Sequence, residues 1–384
     1  MDRLDFCDDR SRFCMTQLAP SVTAIANAIS YPWGDTTPAT GESLNLRRGL
    51  HWVRMPMPFA LNHINLWVLD DGEGSATRDG CASASWTIVD AGVATEAIRS
   101  AWRDLFNGSL AGRPLGRMLV THMHPDHVGN AQWLIDQFSS PAEPARLWMS
   151  AADHFAAQLA CQSTTGFGGE RAAAFFMSHG LRQPDDVAKI RARTGYFSSL
   201  VPEVPHAYRR LMDGMTVRIG EREWQCMAGH GHSPEHIALF NERDGLLISG
   251  DMLLPKISTN VSVLDLEPES DALGLFLASL DRMRVLPDDT LALPSHGLPF
   301  TGIHTRIQQL HDHHAERLEE VLAACALKPS SAAEMLPVLF KRQLDLHQTT
   351  FAMGESVAHL NHLWHQGALK REMDGEGVWR FAPH

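Results

Sequence analysis

The sequence predicts an α/β protein, a large domain of strands and helices followed by a small α+β domain. Three observations predict it. At 384 residues the chain exceeds what one small core organises and suffices for a large core plus an appendage. Short apolar runs of strand length alternate with stretches of helical spacing over most of the chain. From about residue 311 the pattern changes to three helical stretches closed by two short strands about a Gly-rich turn.

Residues 1–45 carry Tyr31-Pro32-Trp33-Gly34 and Thr36-Thr37-Pro38, turn chemistry that predicts an N-terminal arm. Residues 46–310 form the large domain. It opens with strands at Trp52-Val53-Arg54-Met55-Pro56 and Ile64-Asn65-Leu66-Trp67-Val68-Leu69, a Gly/Ser/Ala-rich insert over 70–85, and a strand ending at Asp90. The run Met118-Leu119-Val120 passes through a His-rich turn into helical spacing over 131–138, with Trp133, Leu134 and Phe138 as its stripe. Residues 150–205 hold helical patterns at 150–162, 170–179 and 184–194, the last begun by a proline suited to a first helical turn. Short strands at Val217-Arg218-Ile219 and Trp224-Gln225-Cys226 precede a hairpin, Ile237-Ala238-Leu239-Phe240 with Leu246-Leu247-Ile248-Ser249. A helix over 271–283 and a strand Thr290-Leu291-Ala292-Leu293 follow. In residues 311–384 a helix bearing Leu318, Val321 and Leu322 leads to Ser331-Ala332-Ala333-Glu334, a capping box that starts a second helix. A third helix from about 347 stops at Gly367, and Asp374-Gly375-Glu376-Gly377 turns a final hairpin.

The chemically loaded stretch is Thr121-His122-Met123-His124-Pro125-Asp126-His127. Three imidazoles and a carboxylate within six residues bury poorly unless a positive centre lies between them. A metal supplies one. In extended backbone His122 and His124 point the same way and share an ion, whereas the turn at Pro125 aims Asp126 and His127 elsewhere and implies a second. Imidazole with carboxylate suits zinc, manganese or iron.

This stretch also resembles the His-x-His-x-Asp-His signature of the metallo-β-lactamase superfamily of hydrolases. Further motifs follow in that family's order: Trp86-Thr87-Ile88-Val89-Asp90-Ala91-Gly92 upstream, then Gly231-His232-Ser233-Pro234-Glu235-His236, Ile248-Ser249-Gly250-Asp251 and Pro294-Ser295-His296-Gly297. The resemblance spans roughly residues 45–310 and implies a four-layer αββα sandwich with metals at one rim. It also implies that residues 150–205 are a lid insertion; plain packing in an outer helical layer is the alternative. By the same resemblance His122, His124 and His232 hold one divalent ion, Asp126, His127 and His296 hold the other, and Asp251 bridges them. Asp90 is the buried carboxylate that orients the ligand loop, and His236 supports the site from behind. His232, between Gly231 and Pro234, fits the ligand position where His230 does not. The implied activity is a dinuclear hydrolase of a thioester, lactone or related ester, using water acidified to a pKa of about 7. Asp126 receives the proton. Glu235 stands where glyoxalase II-like members carry Gly. The tail resembles a winged helix, which gives a phosphodiesterase or endoribonuclease as an alternative, and an iron sulfur dioxygenase branch shares most of the ligands.

Composition narrows the partners. Thirty-three basic against forty-five acidic residues leave a net charge of −12, opposing attraction to nucleic acid or an anionic membrane. The predicted third helix has no Lys or Arg from 346 to 369, so DNA is not an expected partner and RNA is disfavoured. The tail is expected instead to pack on the hydrolase domain, close a pocket or form a homodimer, and the expected partner is a small-molecule substrate. No apolar run reaches the roughly 18 residues of a membrane span, and the N-terminus lacks a signal-peptide core, so a cytoplasmic protein is expected. The six scattered cysteines read as reduced thiols. Candidate substrate contacts are His63, Asn65, Tyr208 and Lys256, the last a cation for a carboxylate or phosphate.

Overall fold

The computed structural model describes residues 29–59, 61–72, 84–163 and 168–384. The first 28 residues of the expected arm, most of the 70–85 insert and residues 164–167 of the expected lid lie outside them.

A seven-stranded sheet runs in chain order from β1 (Ser43–Arg47) through β2 (Leu50–Pro56), β3 (His63–Asp70), β4 (Trp86–Val89), β5 (Leu115–Leu119) and β6 (Arg146–Ser150) to β7 (Tyr208–Leu211). Pairing is antiparallel as far as β4 and parallel beyond it. Parallel neighbours need crossovers. Helix α1 (Glu96–Asn107) joins β4 to β5, and α2 (Pro125–Val128) with α3 (Ala131–Phe138) joins β5 to β6. The stretch expected to be a lid is the β6-to-β7 crossover, built from α4 (Ala151–Gln162), α5 (Gly169–Ser178), α6 (Pro184–Ala192) and α7 (Tyr196–Leu200). Strands β1, β6 and β7 are additions to the sequence reading. They have four or five residues each and lack the β-branched alternation that would announce them.

The second sheet lies in the order β12-β11-β10-β9-β8. It comprises β8 (Thr216–Ile219), β9 (Arg222–Gly229), β10 (His236–Asn241), β11 (Leu246–Gly250) and β12 (Leu291–Pro294). Helix α8 (Ala272–Met283), capped by the Asp271 carboxylate, links parallel β11 and β12. The chain closes with α9 (Ile303–Leu327), α10 (Ala332–Leu339), α11 (Leu346–His365) and the hairpin β13 (Lys370–Met373) and β14 (Trp379–Ala382). The capping box at Ser331 and Glu334 forms as expected.

Side-chain alternation assembles the layers. On β3, Trp67 and Leu69 face the second sheet, while Ile64, Leu66 and Val68 face α1 and α3. On β10, Ile237 and Leu239 meet the first sheet, while Ala238 and Phe240 turn to α8. Strands covered on both faces read as nearly continuous apolar runs. The result is an αββα sandwich. Its outer apolar layer continues without interruption from Phe276 and Leu280 of α8 into Val321, Met335, Val357 and Phe381 of the C-terminal elements, and includes Phe176 of α5. Helix α9 likewise passes through residue 311 without a break. Among the described residues no helix is long and apolar enough to cross a membrane.

A buried ion pair ties the sheets together. Arg117 of β5 meets Asp71 at the end of β3, and its Nη1 also donates to Arg218 O of β8 at 2.8 Å. Asp71 accepts in addition from Thr87 Oγ1 and Gly220 N. Asp71→Ala removes the carboxylate of a buried ion pair and should cost about 3–5 kcal/mol, read as a lower denaturant midpoint. An unchanged midpoint would refute the cross-sheet role.

Candidate metal centre

Four strand ends from the two sheets meet at one rim. His122 and His124 follow β5, His127 lies in α2, and His232, Asp251 and His296 follow β9, β11 and β12. Their ligand atoms fall into three overlapping groups, His122/His124/His232, His122/His127/Asp251 and Asp126/His127/His296, with the atoms of each group within 4.8 Å of one another.

Local backbone makes this approach possible. Gly231 has φ +93°, and a Cβ there would lie 2.2 Å from Ala272 O at the start of α8. Gly250 has φ +54°, and its missing Cβ leaves room for the His236 ring, which accepts from Asp251 N at 3.3 Å. His236 therefore lies behind Asp251, on the side expected of a supporting residue. Asp90, also at positive φ (65°), accepts from Thr121 N at 2.8 Å and from His127 Nδ1 at 2.8 Å.

The second nitrogen of each ring determines what the first can do. His232 Nδ1 donates to Asn260 O at 2.7 Å, and His296 Nδ1 donates to His63 O at 2.8 Å. Carbonyl oxygens only accept, so in the neutral rings both Nε2 atoms present lone pairs. Those Nε2 atoms lie 3.4 Å from Asp251 Oδ2 and 3.3 Å from Asp126 Oδ2, respectively, and His232 Nε2 is 3.2 Å from His122 Nε2. Lone pairs facing lone pairs and carboxylates are favourable only with positive charge between them, which a metal ion or ring protonation supplies. His127 Nε2 and Asp251 Oδ1 are likewise buried without a hydrogen-bond partner among the described residues.

Electrostatics divides the cluster. Burial, reinforced by neighbouring imidazoles, holds His122 well below the usual imidazole range and His124 at about 3. His127 moves the other way: burial opposes its charge, but Asp90, Asp126 and Asp251 overcome it and raise the ring well above that range. His296 rises to about 10, burial again being outweighed, chiefly by Asp251 and Asp126. Asp126 falls to about 2 because His127 and His296 outweigh its burial. His122 and His124 are held neutral, whereas the half built on His127 and His296 demands positive charge.

The remaining predicted residues separate. His63 borders the site through its carbonyl and accepts from Gly297 N at Nε2, 3.0 Å away. Asn65 is corrected from substrate contact to scaffold: it is buried, donates to Pro294 O and Gly297 O, and accepts from Trp52 Nε1. Tyr208 is also corrected, since it stacks on His154 at 3.8 Å and lies outside the wall of the cavity. Lys256 is exposed and sits over the Tyr31 ring rather than in the cavity. Strand alternation and sequence distance from Asp251 could not reveal these directions. His230 Nδ1 bonds Pro234 O and stands outside the ligand groups.

Two residues escape the sequence reading. Asp153 is buried and accepts from Met123 N at 2.7 Å and Glu235 N at 2.5 Å, clamping both histidine loops. Burial raises its carboxyl to about 6, against the pull of these bonds. Ser150-x-x-Asp153 was legible as a helix start, but not as a clamp. Glu355 of α11 lies on the cavity wall and accepts from Asn260 Nδ2 at 3.3 Å, which links the C-terminal helix to the carbonyl that orients His232.

Two stacked sheets with imidazoles and carboxylates gathered at their common rim define a class, and the chain belongs to it. Residues 82–296 match the metallo-beta-lactamase superfamily, and residues 318–384 match the metallo-beta-lactamase-like C-terminal domain. The chain is 26% identical over 338 residues to the probable metallo-hydrolase YqjP of Bacillus subtilis, covering 85% of this chain and 96% of that protein. It is similar to a beta-lactamase domain protein from Burkholderia ambifaria, with 49% identity, TM-score 0.86, and coverage of 94% of this chain and 100% of the other. It is also similar to a metallo-beta-lactamase family protein from Thermus thermophilus, with 28% identity, TM-score 0.68, and coverage of 88% of this chain and 100% of the other.

Asp153→Ala should weaken metal binding about 10- to 100-fold, the range for lost outer partners of ligands, measured by competition with a chromogenic chelator. Unaltered affinity would remove the clamp. His232→Ala should release one ion of a pair, whereas His230→Ala keeps both, as read by elemental analysis. The opposite pattern would place the ligand at His230.

Proposed function

We propose that this metallo-hydrolase is dinuclear and cleaves a thioester, lactone or related ester of a small molecule. The carrying observation is the set of buried imidazoles anchored through Nδ1, whose bare Nε2 atoms converge with Asp126 and Asp251 at the end of a cavity. These residues fit two divalent ions. His122, His124 and His232 would hold one, Asp126, His127 and His296 the other, and Asp251 would reach both. Zinc suits the nitrogen and oxygen donors, and iron or manganese suits them nearly as well. Bound ions would acidify a water to serve as nucleophile and polarise the substrate carbonyl.

The protein's own groups do the rest. Asp90 and Thr121 fix the tautomer and tilt of His127, while His63 and Asn260 do the same for His296 and His232 through their carbonyls. Asp126 lines the cavity, where its carboxylate can take the proton released during attack. The negative balance of the chain and the absence of Lys and Arg along α11 weigh against a phosphodiester polymer.

The purified chain should carry close to two divalent ions and hydrolyse an activated ester or thioester until a chelator removes them. Turnover by metal-free protein, or loading that never passes one ion, would overturn the reading. Oxygen consumption with a persulfide would assign the dioxygenase chemistry instead.

A further inference from the structure

The cavity whose lining includes His124, Asp126, His232, Asp251 and His296 is larger than a small ester needs. Its volume is about 1540 Å³, whereas pockets that enclose a drug-sized ligand run to roughly 300–1,000 Å³. Three parts of the chain share its wall. Phe59 comes from the segment after β2, Tyr196 from the β6-to-β7 crossover, and Phe351 from α11. They converge on His347, whose ring stacks on Phe59 at 5.7 Å and lies 5.6 Å from Tyr196 and 4.9 Å from Phe351.

On the same wall, apolar side chains of a size usually covered stand open. Leu159 is 51% exposed, Leu266 67% and Leu275 47%, and all three line this one cavity. Single exposed leucines are ordinary, but three on the wall of one concave cavity mark a site that a ligand covers. Charge limits the ligand. Outside the metal cluster, the described lining has two arginines, Arg171 and Arg342, against four carboxyl groups, Asp265, Glu267, Asp345 and Glu355. A polyphosphate carrier or a nucleic-acid strand needs a net cationic wall. An uncharged hydrocarbon chain needs what is present.

We propose that the substrate is a carboxylic ester or thioester bearing a long uncharged acyl chain and a small leaving group. The acyl chain lies along the wall made by both domains, and the carbonyl sits at the His124–Asp126 end. This rests on the hydrolase reading above. In the reaction, water oxygen bonds to the acyl carbon and the carbon–oxygen or carbon–sulfur bond breaks. One water proton leaves with the alcohol or thiol, and the other is released as the carboxylic acid ionises.

The test has a kinetic arm and a binding arm. In the metal-loaded full chain, kcat/KM for p-nitrophenyl octanoate should exceed that for the acetate at least about a hundred-fold, since each buried methylene contributes about four-fold. Leu266→Asp and Leu275→Asp place a charge on the wall at positions exposed enough to leave the fold intact. Each should lower that ratio about ten-fold or more, since the charge forfeits several methylenes' worth of burial. In metal-free protein, bound N-phenyl-1-naphthylamine should be displaced by decanol but not by coenzyme A. Metal-dependent hydrolysis with a flat or falling chain-length profile would overturn the acyl-chain proposal and leave the hydrolase reading standing. A preference for octanoyl-coenzyme A over the neutral octanoyl ester would overturn the uncharged carrier. Failure to cleave any ester with two ions bound would strike the hydrolase reading, and displacement by decanol would then still support the acyl-binding wall.

Discussion

The structure depends on the carboxylate of Asp90. It sits just past β4, in a left-handed backbone conformation that a non-glycine residue adopts only at a cost, and persists where surrounding bonds over-determine it. Thr121 N, Thr121 Oγ1 and His127 Nδ1 all converge on it. The loop after β5 must therefore turn back over the rim of the first sheet, which carries His122, His124 and His127 toward the strand ends of the second. Ile237 N donates to Thr121 O at 2.8 Å, so the same loop is also tied to β10. A cluster of imidazoles and carboxylates that would be unfavourable anywhere else in a core is held together by bonds that leave its metal-facing atoms bare.

The C-terminal elements belong to the site as much as to the tail. Their apolar residues share one core with α8 and α5. Val263 N donates to Gly354 O, and Asn260 is held by Glu355 while its carbonyl orients His232. Burial raises the Glu355 carboxyl to about 7, against the hydrogen bond from Asn260. The segment that runs past the second sheet is thus braced from α11, and the cavity has walls from both parts of the chain. The β6-to-β7 crossover completes this enclosure. Its α5 and α6 join the C-terminal core, while α4 and α7 border the cavity.

Much of this was legible along the chain. The long apolar strands β2, β3 and β10 announce themselves because both faces are covered and nearly every position must be apolar. Helices α8 and α10 carry their caps in sequence, Asp271 for the first and the Ser331/Glu334 box for the second. Short β6 and β7 are strands only because β5 offers β6 a parallel edge, β6 offers one to β7, and the crossover helices cover them, which no local pattern encodes. Helix α1 shows the converse. Ile98, Ala101, Trp102 and Leu105 repeat with helical spacing, a signal present in the sequence itself.

The cluster of imidazoles and carboxylates was legible in the sequence, because metal chemistry demands particular side chains and a turn of fixed length can present only certain ones together. Direction was not. Asn65, Tyr208 and Lys256 have plausible chemistry, yet one is consumed holding the His296 loop, one stacks on His154, and one stands over Tyr31. Asp153, Tyr196 and Glu355 reach the site from elements that pack there only after the sheets have stacked. Residues within one motif are related by local backbone geometry, which sequence spacing reports. Residues on separate elements are related by packing, which only the folded chain establishes.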